Sequence, residues 1–461
     1  MIPQTHDMAL LNSRQAIRQS IDRFDLICVL TLLVCFIAVS FLPAAPSKFG
    51  DIYFHQEAQT LARAVRGAGL WSDVSFARAP GPVAYYAIPY SLVRPGSPEK
   101  DYWQAAVAWN AFWMAVAVLL IRRTGDLLMG ATAGKAAAVS CLIAPFAVYY
   151  SFGIASETPA YIAAVVFMYG WARWRAEIAQ RLLWPGAVLA LAGLSGLILC
   201  RLNAMVVLGI AAVCGLVVWF QRNRRNAADV KFATLCVVGG LAAVLLVSAS
   251  LKRLPANRGV DEQASNFSDV VFFGSFQFRQ EPWDWRFWGK GTRQGSVDYQ
   301  NWVDTRQALS EESARTGEPR SRLEMKWAIN DTLHHPITRL QMFGVRVLAL
   351  NIWIINSVAP DSFAVGSFGG RPLYFLFHFV LNGIALLLVF ASGWFLAVNR
   401  KDLFAWWPLW GIWVGLLLFH AFTYAEPRYM LPGLPGLAIM AGCALGVALD
   451  RKAPHSFSQR A

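Results

Sequence analysis

The sequence predicts an all-α polytopic membrane protein with about 10 (10–12) transmembrane helices and helical extracytoplasmic loops. Three observations predict it. Of the 461 residues, 56% are hydrophobic and 15% charged, with 19 Trp and 30 Phe, whereas an average soluble domain carries about 25% charged residues. Apolar runs near or above the roughly 18 residues that mark a spanning helix recur along the chain. The basic residues behind the net charge of +13 sit in short segments between those runs, the positive-inside distribution. That placement excludes the nucleic-acid partner a basic chain would otherwise suggest.

The first span, 24–46, follows Arg14, Arg18 and Arg23. It is too long, and too poor in a clean small-residue cleavage site, to be a signal peptide. An outer segment runs from Ser47 to Trp103. Six further spans, 104–121, 131–150, 156–173, 183–200, 204–220 and 232–251, complete an N-terminal module over 1–251. Residues 252–371 form a large extracytoplasmic loop, too rich in aromatics (Phe272, Phe273, Trp283, Trp285, Trp288) to be disordered. Three spans close the chain within 372–461: 372–397, 404–423 and 430–449. The apolar stretch 340–358 is ambiguous. A crossing there would carry Arg400 and Lys401 outside, so it reads as a helix on the outer face. Trp327, Ile329, Leu333, Ile337, Leu340, Phe343 and Val347 are expected to form its single apolar stripe.

With the N-terminus inside, the inner segments collect Arg122 and Arg123, Arg173 and Arg175, Arg222 to Lys231, and Arg400 and Lys401, while the short outer turns hold Arg201 and Arg428. The seven cysteines fall in or at the ends of apolar runs and contain no CxxC pair, so they read as small core residues rather than disulfide or zinc partners.

Ionisable groups at a membrane boundary are costly to dehydrate, and a group of them marks a functional site. Asp51, Tyr53, His55 and Glu57 follow the first span, at the start of a helix whose Ala58, Leu61, Ala62 and Val65 share a side. Arg78 and a Pro-rich re-entry follow. Glu157 opens the fourth span, with Pro159 in its first turn. Arg201 and Asn203 occupy another outer turn, and Glu426, Arg428 and Tyr429 the last. Each has a plainer reading beside the functional one. Asp51 and Glu157 could be helix caps, His55 a structural hydrogen-bonder, Glu57 a solvated residue, Arg78 a snorkelling one, and Glu426–Arg428 an ion pair.

In order and sidedness these segments resemble the polytopic GT-C glycosyltransferases, in particular bacterial relatives of the dolichyl-phosphate-mannose protein mannosyltransferases and of lipid A aminoarabinose transferase. The resemblance covers most of the chain. It rests on Asp51 with Tyr53 and an Ala-rich helix, on Pro80-Gly81-Pro82-Val83-Ala84-Tyr85-Tyr86, on the Glu157 turn and on the Leu199-Cys200-Arg201-Leu202-Asn203-Ala204 stretch. Ala328-Ile329 leading to Pro336, and Pro427-Arg428-Tyr429-Met430-Leu431-Pro432 with Pro435, complete it. The resemblance implies a polyprenyl-phosphate sugar donor, a lipid, glycan or protein acceptor, and a site facing the periplasm from a bacterial inner membrane, with both termini cytoplasmic. It maps catalytic carboxylates to Asp51 and Glu157 and lipid-phosphate contacts to Arg428, Arg201 and Arg78. Tyr53, His55, Glu57, Glu426 and Tyr429 would support them. Where the family often has two adjacent acidic residues, Ile52 follows Asp51, which leaves open the base and any divalent cation. One base opposite a leaving phosphate implies inversion. The competing readings are a transporter or lipid flippase, a non-catalytic membrane assembly partner, which would not need Asp51 and Glu157 at one face, and an O-antigen ligase or polymerase using a diphosphate-linked donor.

Overall fold

A computed structural model of the chain describes residues 21–40, 52–76, 79–144, 151–178, 184–221, 227–251, 261–280, 296–351 and 371–449. Among these the regular structure is helical throughout. The N-terminal part comprises α1 (Arg23–Ser40), α2 (Ile52–Val65), α3 (Pro80–Tyr90), α4 (Glu99–Met129), α5 (Ala131–Ile143), α6 (Glu157–Ile178), α7 (Trp184–Cys200), α8 (Val206–Phe220) and α9 (Ala227–Leu251). The segment that the sequence reading expects on the outer face supplies α10 (Asp261–Gly274), α11 (Val297–Thr316), α12 (Arg320–His334) and α13 (Pro336–Asn351). The chain ends with α14 (Arg371–Val398), α15 (Trp407–Phe422) and α16 (Leu434–Leu449).

By length and composition five stretches can cross a membrane: Glu99–Met129, Leu202–Phe220, Ala227–Ser250, Arg400–Phe422 and Arg428–Leu449. They match the expected spans at 104–121, 204–220, 232–251, 404–423 and 430–449. Ala131–Ile143, Pro185–Cys200 and Asn382–Val398 are apolar but shorter.

Small residues set the helix packing, as they must where lipid competes equally for apolar side chains. A Cβ on Gly170, Gly186 or Gly193 would come within 2.3–2.4 Å of the backbone nitrogens of Ala190, Trp174 and Phe167, so α6 and α7 lie backbone to backbone. Gly442 brings α16 as close to Ala137 of α5, where a Cβ would fall 2.4 Å from the backbone nitrogen, and Gly446 lies 2.9 Å by the same measure from the Ala133 Cβ. Cys28, Cys141, Cys200, Cys214, Cys236 and Cys443 are buried and Cys35 half-buried, all with free thiols.

Polar groups gather at the two ends of this bundle. At one end Arg122 binds Asp22 and Asp25, Arg123 binds Asp25 at 2.7 Å and Asp126 at 3.3 Å, and Glu177 accepts from the amide of Gly186 at 2.9 Å. At the other end, α6 and α16 begin and α7 and α15 finish.

Two expectations are corrected. Val65 does not join Ala58 and Ala62 in the core. It is exposed, because α2 stops there and the chain turns away through Gly67 at φ +70°. The stripe from Trp327 to Val347 is not one face of one helix. Pro336 cannot continue the helical hydrogen bonding, so α12 ends at His334 and α13 restarts in a new phase. Trp327, Phe343 and Val347 pack inward, while Ile329, Leu333, Ile337 and Leu340 are exposed.

Candidate functional site

Glu157 is the first residue of α6, Arg201 the first after α7, and Glu426 and Arg428 lie in the turn between α15 and α16. The fold brings all four together. Arg201 Nη2 donates to Glu157 Oε1 at 2.6 Å, and both side chains are buried. Arg428 lies 2.6 Å from Glu426 Oε1 through Nε and 3.6 Å from Glu157 Oε1. Glu157 Oε1 is therefore shared by two guanidiniums. The four charges cancel, which is what makes burial at a helix-end boundary tolerable. Tyr429 presents its ring to both arginines, 4.6 Å from Arg201 Cζ and 5.3 Å from Arg428 Cζ.

Arg428 is the accessible arm. Its side chain is 28% exposed against 6% for Arg201. Arg201 has a buried Nε with no hydrogen-bond partner among the described residues, and so does the buried Oδ1 of Asn203. Asn203 Nδ2 reaches His420 Nε2 at 2.8 Å, and His420 Nδ1 lies 3.2 Å from the carbonyl of Tyr424. The imidazole therefore donates from Nδ1 and accepts at Nε2. Its ring lies tilted against that of Tyr429, with centroids 4.7 Å apart.

Side chains from outside this cluster hold it in place. Tyr86 of α3 donates to the carbonyls of Ala155 at 3.0 Å and Gly153 at 3.2 Å, and accepts from the Ala155 amide. Asn110 of α4 donates to the carbonyl of Ser151 at 2.6 Å, and Trp103 to that of Phe152 at 3.2 Å. The turn before Glu157 is thus pinned from α3 and α4. The turn before Arg428 is pinned from the outer segment. The Gln277 amide donates to the Ala425 carbonyl at 2.9 Å and accepts from its N–H at 2.8 Å. Arg346 of α13 donates to the carbonyls of Gly274, Gln277 and Ala421. Gly274 must be glycine, since a Cβ would fall 1.6 Å from the Thr423 carbonyl oxygen. Phe278, next to Gln277, stands at φ +64°, a conformation that costs a non-glycine residue about 1–2 kcal/mol. Asp298 holds the chain there by accepting from the amides of Arg279 and Gln280 at 2.9 and 3.0 Å.

The sequence-predicted residues divide as follows. Glu157, Arg201, Glu426, Arg428 and Tyr429 converge. Asp51, Arg78 and the side chain of Tyr53 lie outside the described residues. His55 and Glu57 are on α2, which packs on α3. His55 Nδ1 meets the Tyr90 hydroxyl at 2.8 Å and Nε2 meets the Gln59 amide nitrogen at 3.0 Å, so it makes the structural hydrogen bonds. Burial holds its imidazole below the usual histidine range, with the Glu99 carboxylate opposing. Glu57 is buried rather than solvated. The sequence reading missed Tyr86, Asn110, Gln277, Arg346 and His420 as parts of the architecture. Asn110 and Arg346 carried a signal, being polar side chains within apolar stretches.

Glu157 and Glu426 are each committed to arginine, a poor donor set for a cation. Among the described residues no group of three or more His, Cys, Asp or Glu side chains converges as metal ligands.

No family model matches the chain, and no curated protein does. One solved structure similar to it is the oligosaccharyltransferase of Archaeoglobus fulgidus, tethered with an acceptor peptide containing the NVT sequon via a disulfide bond. The identity is 14% and the TM-score 0.49, over 92% of this chain and 50% of that one. The chain thus spans about half the length of that protein. A likeness at this level leaves the activity to be argued from the chain's own residues.

Proposed function

We propose that this chain is a GT-C-type membrane glycosyltransferase, moving a sugar from a polyprenyl-phosphate-linked donor to a lipid, glycan or protein acceptor at the extracytoplasmic face, with inversion. The observation that supports it best is the convergence of Arg201 and Arg428 on Glu157 at one end of an apolar helical bundle. A lipid-linked donor delivers its phosphate at the membrane boundary. Forked guanidiniums there neutralise the charge that grows as the sugar departs.

In this reading Arg428 exchanges part of its contact with Glu426 for the donor phosphate, and Arg78 adds to it. Arg201 and Glu157 hold the guanidiniums in register, and Tyr429 braces both. Asp51 takes the proton from the acceptor hydroxyl. The acceptor oxygen bonds to the anomeric carbon, the bond from that carbon to the phosphate oxygen breaks, and its electron pair leaves with polyprenyl phosphate. Tyr53, His55 and Glu57 support Asp51 from α2. The Lys/Arg distribution supports a cytoplasmic Arg122–Asp25 end and an extracytoplasmic Arg201–Glu157 end, which in this reading faces the periplasm from a bacterial inner membrane.

The test is purified protein in nanodiscs supplied with polyprenyl-phosphate sugars and an acceptor panel. Release of polyprenyl phosphate, with the sugar inverted in the product, is expected. Movement of the intact lipid between leaflets without bond cleavage would overturn the reading and favour a flippase.

A further inference from the structure

The bend between α12 and α13 carries apolar side chains that stand exposed among the described residues. Ile329 and Leu333 on α12, and Ile337, Leu340 and Leu348 on α13, are 54–73% exposed. Fraying is not the cause. The opposite side of α13 is firmly seated, with Met342, Arg346, Ala349 and Leu350 buried and Arg346 bonded to backbone carbonyls of two other segments. Soluble surfaces seldom leave so continuous an apolar stripe uncovered.

Two further observations say what covers it. The first is a polarity gradient. Arg322, Lys326, Ile329 and Leu333 follow at spacings of four, three and four, so they share one face of α12. The first pair is charged, with side chains 71% and 60% exposed. The second pair is apolar. At 1.5 Å per residue, Lys326 and Leu333 lie about 10 Å apart along the axis, which matches the ~5–10 Å to which interfacial helices bury an apolar face. Glu318 pairs with both Arg322 and Lys326, at 3.3 and 2.7 Å, leaving the trio with one net positive charge toward an anionic surface. The second is continuity. Phe343 of α13 lies tilted against Phe422 with ring centroids 4.6 Å apart, and Phe422, itself exposed, ends the stretch Arg400–Phe422, which is long and apolar enough to cross a membrane. α13, which carries Ile337, Leu340 and Leu348, is thus seated against the exposed apolar end of that helix.

We infer that the α12–α13 elbow is a wedge seated in the lipid leaflet bordering the Glu157–Arg201 cluster, with Arg322 and Lys326 at headgroup level and Leu333, Ile337 and Leu340 among the acyl chains. His334 and His335, exposed at the bend, limit the depth to the headgroup–acyl boundary. Arg346 joins the wedge to the turn leading to Arg428, so the lipid surface supports the same element that positions the site. This inference does not depend on glycosyl transfer.

The test is spin labelling of the full-length protein in nanodiscs containing phosphatidylglycerol, with Leu333→Cys, Ile337→Cys and Leu340→Cys read against Arg322→Cys. Leu387→Cys on α14 is the lipid-facing reference and the unsubstituted protein the labelling background. Collision with oxygen should exceed collision with a water-soluble nickel chelate at the first three positions, as at 387, and the ratio should reverse at 322. Free access of the nickel chelate at 333, 337 and 340 would overturn the inference. So would spin–spin broadening between copies, which assigns the face to a second protomer. Low collision with both reagents overturns it as well, assigning the face to another segment of the chain.

Discussion

Gly81 lies against the last residue of α7: a Cβ on it would come within 2.7 Å of the backbone nitrogen of Cys200 and 2.8 Å of its Sγ. The Pro80-Gly81-Pro82 entry to α3 therefore touches the chain one residue before Arg201. Five residues on, Tyr86 of the same helix holds the carbonyls before Glu157. One short helix thus sets the spacing of both partners in the buried ion pair.

Substituting Gly81→Ala forces α3 away from a backbone that cannot rotate aside. Overpacking of this kind costs about 1–3 kcal/mol. The expected outcome is a lower thermal midpoint in detergent, with faster amide exchange across 151–157. Unchanged exchange in that turn would show that α3 does not set the position of Glu157.

The Arg201–Glu157 pair predicts an asymmetry. Arg201→Ala leaves a buried carboxylate with the longer 3.6 Å approach of Arg428 and a 3.5 Å hydrogen bond from the Ser156 hydroxyl, and breaking a buried pair from one side costs about 3–5 kcal/mol. Glu157→Gln removes a charge but keeps an oxygen to accept from Arg201. It should cost less, since Glu426 still holds Arg428. Thermal unfolding of the two variants checks the order; equal losses would mean that the pair is less dehydrated than its geometry implies.

Much of this was legible in the sequence because membrane physics is coarse. A bilayer rejects exposed charge, so apolar run length located the helices, and the charges left at run ends were those with a partner. Glu157, Arg201, Glu426 and Arg428 met for that reason. The α12–α13 break was written in Pro336, but the phase of each helix was not, so Ile329 and Phe343 were assigned to one stripe although only Phe343 packs on the core. The clamps were the least legible part. Gln277 and Ala425 are 148 positions apart, and their bond depends on backbone groups, which every residue has. Nothing in local composition announces which carbonyl a buried Gln or Arg will find.

The Gln277 clamp can be tested directly. Gln277→Leu keeps volume but leaves the buried N–H and carbonyl of Ala425 unpaired, at about 1–3 kcal/mol for each group. Exchange of the Ala425 amide should accelerate by roughly tenfold or more, with Arg428 becoming more mobile in the same turn. If exchange at 425 is unaltered, the outer segment does not hold this turn.

His55 makes the packing of α2 pH-dependent. Burial lowers its folded value below the usual 6.5, so the neutral ring is the form the fold prefers. Its contribution is complete above about 6.5 and is lost as pH falls through the lowered value, because the unfolded chain then binds the proton more readily. Amide exchange over 52–65, taken relative to the intrinsic rate at each pH, should therefore rise between pH 7.5 and pH 5. His55→Gln should flatten that dependence; an equally steep rise in the variant would assign it to another group.

The proposed division of labour between Arg428 and Asp51 predicts different kinetic signatures. Arg428 is a partly exposed turn residue, but Arg428→Ala also leaves the buried Glu426 without its 2.6 Å partner, so the variant should show a lower thermal midpoint and is assayed well below it. The loss of a guanidinium–phosphate contact worth about 1.5–3 kcal/mol should appear largely as weaker use of limiting donor. Asp51→Asn keeps size and helix-capping ability but removes the proton acceptor. If Asp51 is the base, turnover at saturating donor falls by about two orders of magnitude or more, while thermal stability and donor KM stay near those of the native chain. If it merely caps α2, Asn serves nearly as well and turnover survives. Near-normal transfer by Asp51→Asn would move the search for the base to Glu57, the buried carboxylate on α2, where Glu57→Gln decides. Glu157 is the weaker alternative, because its Oε1 is already occupied by two guanidiniums.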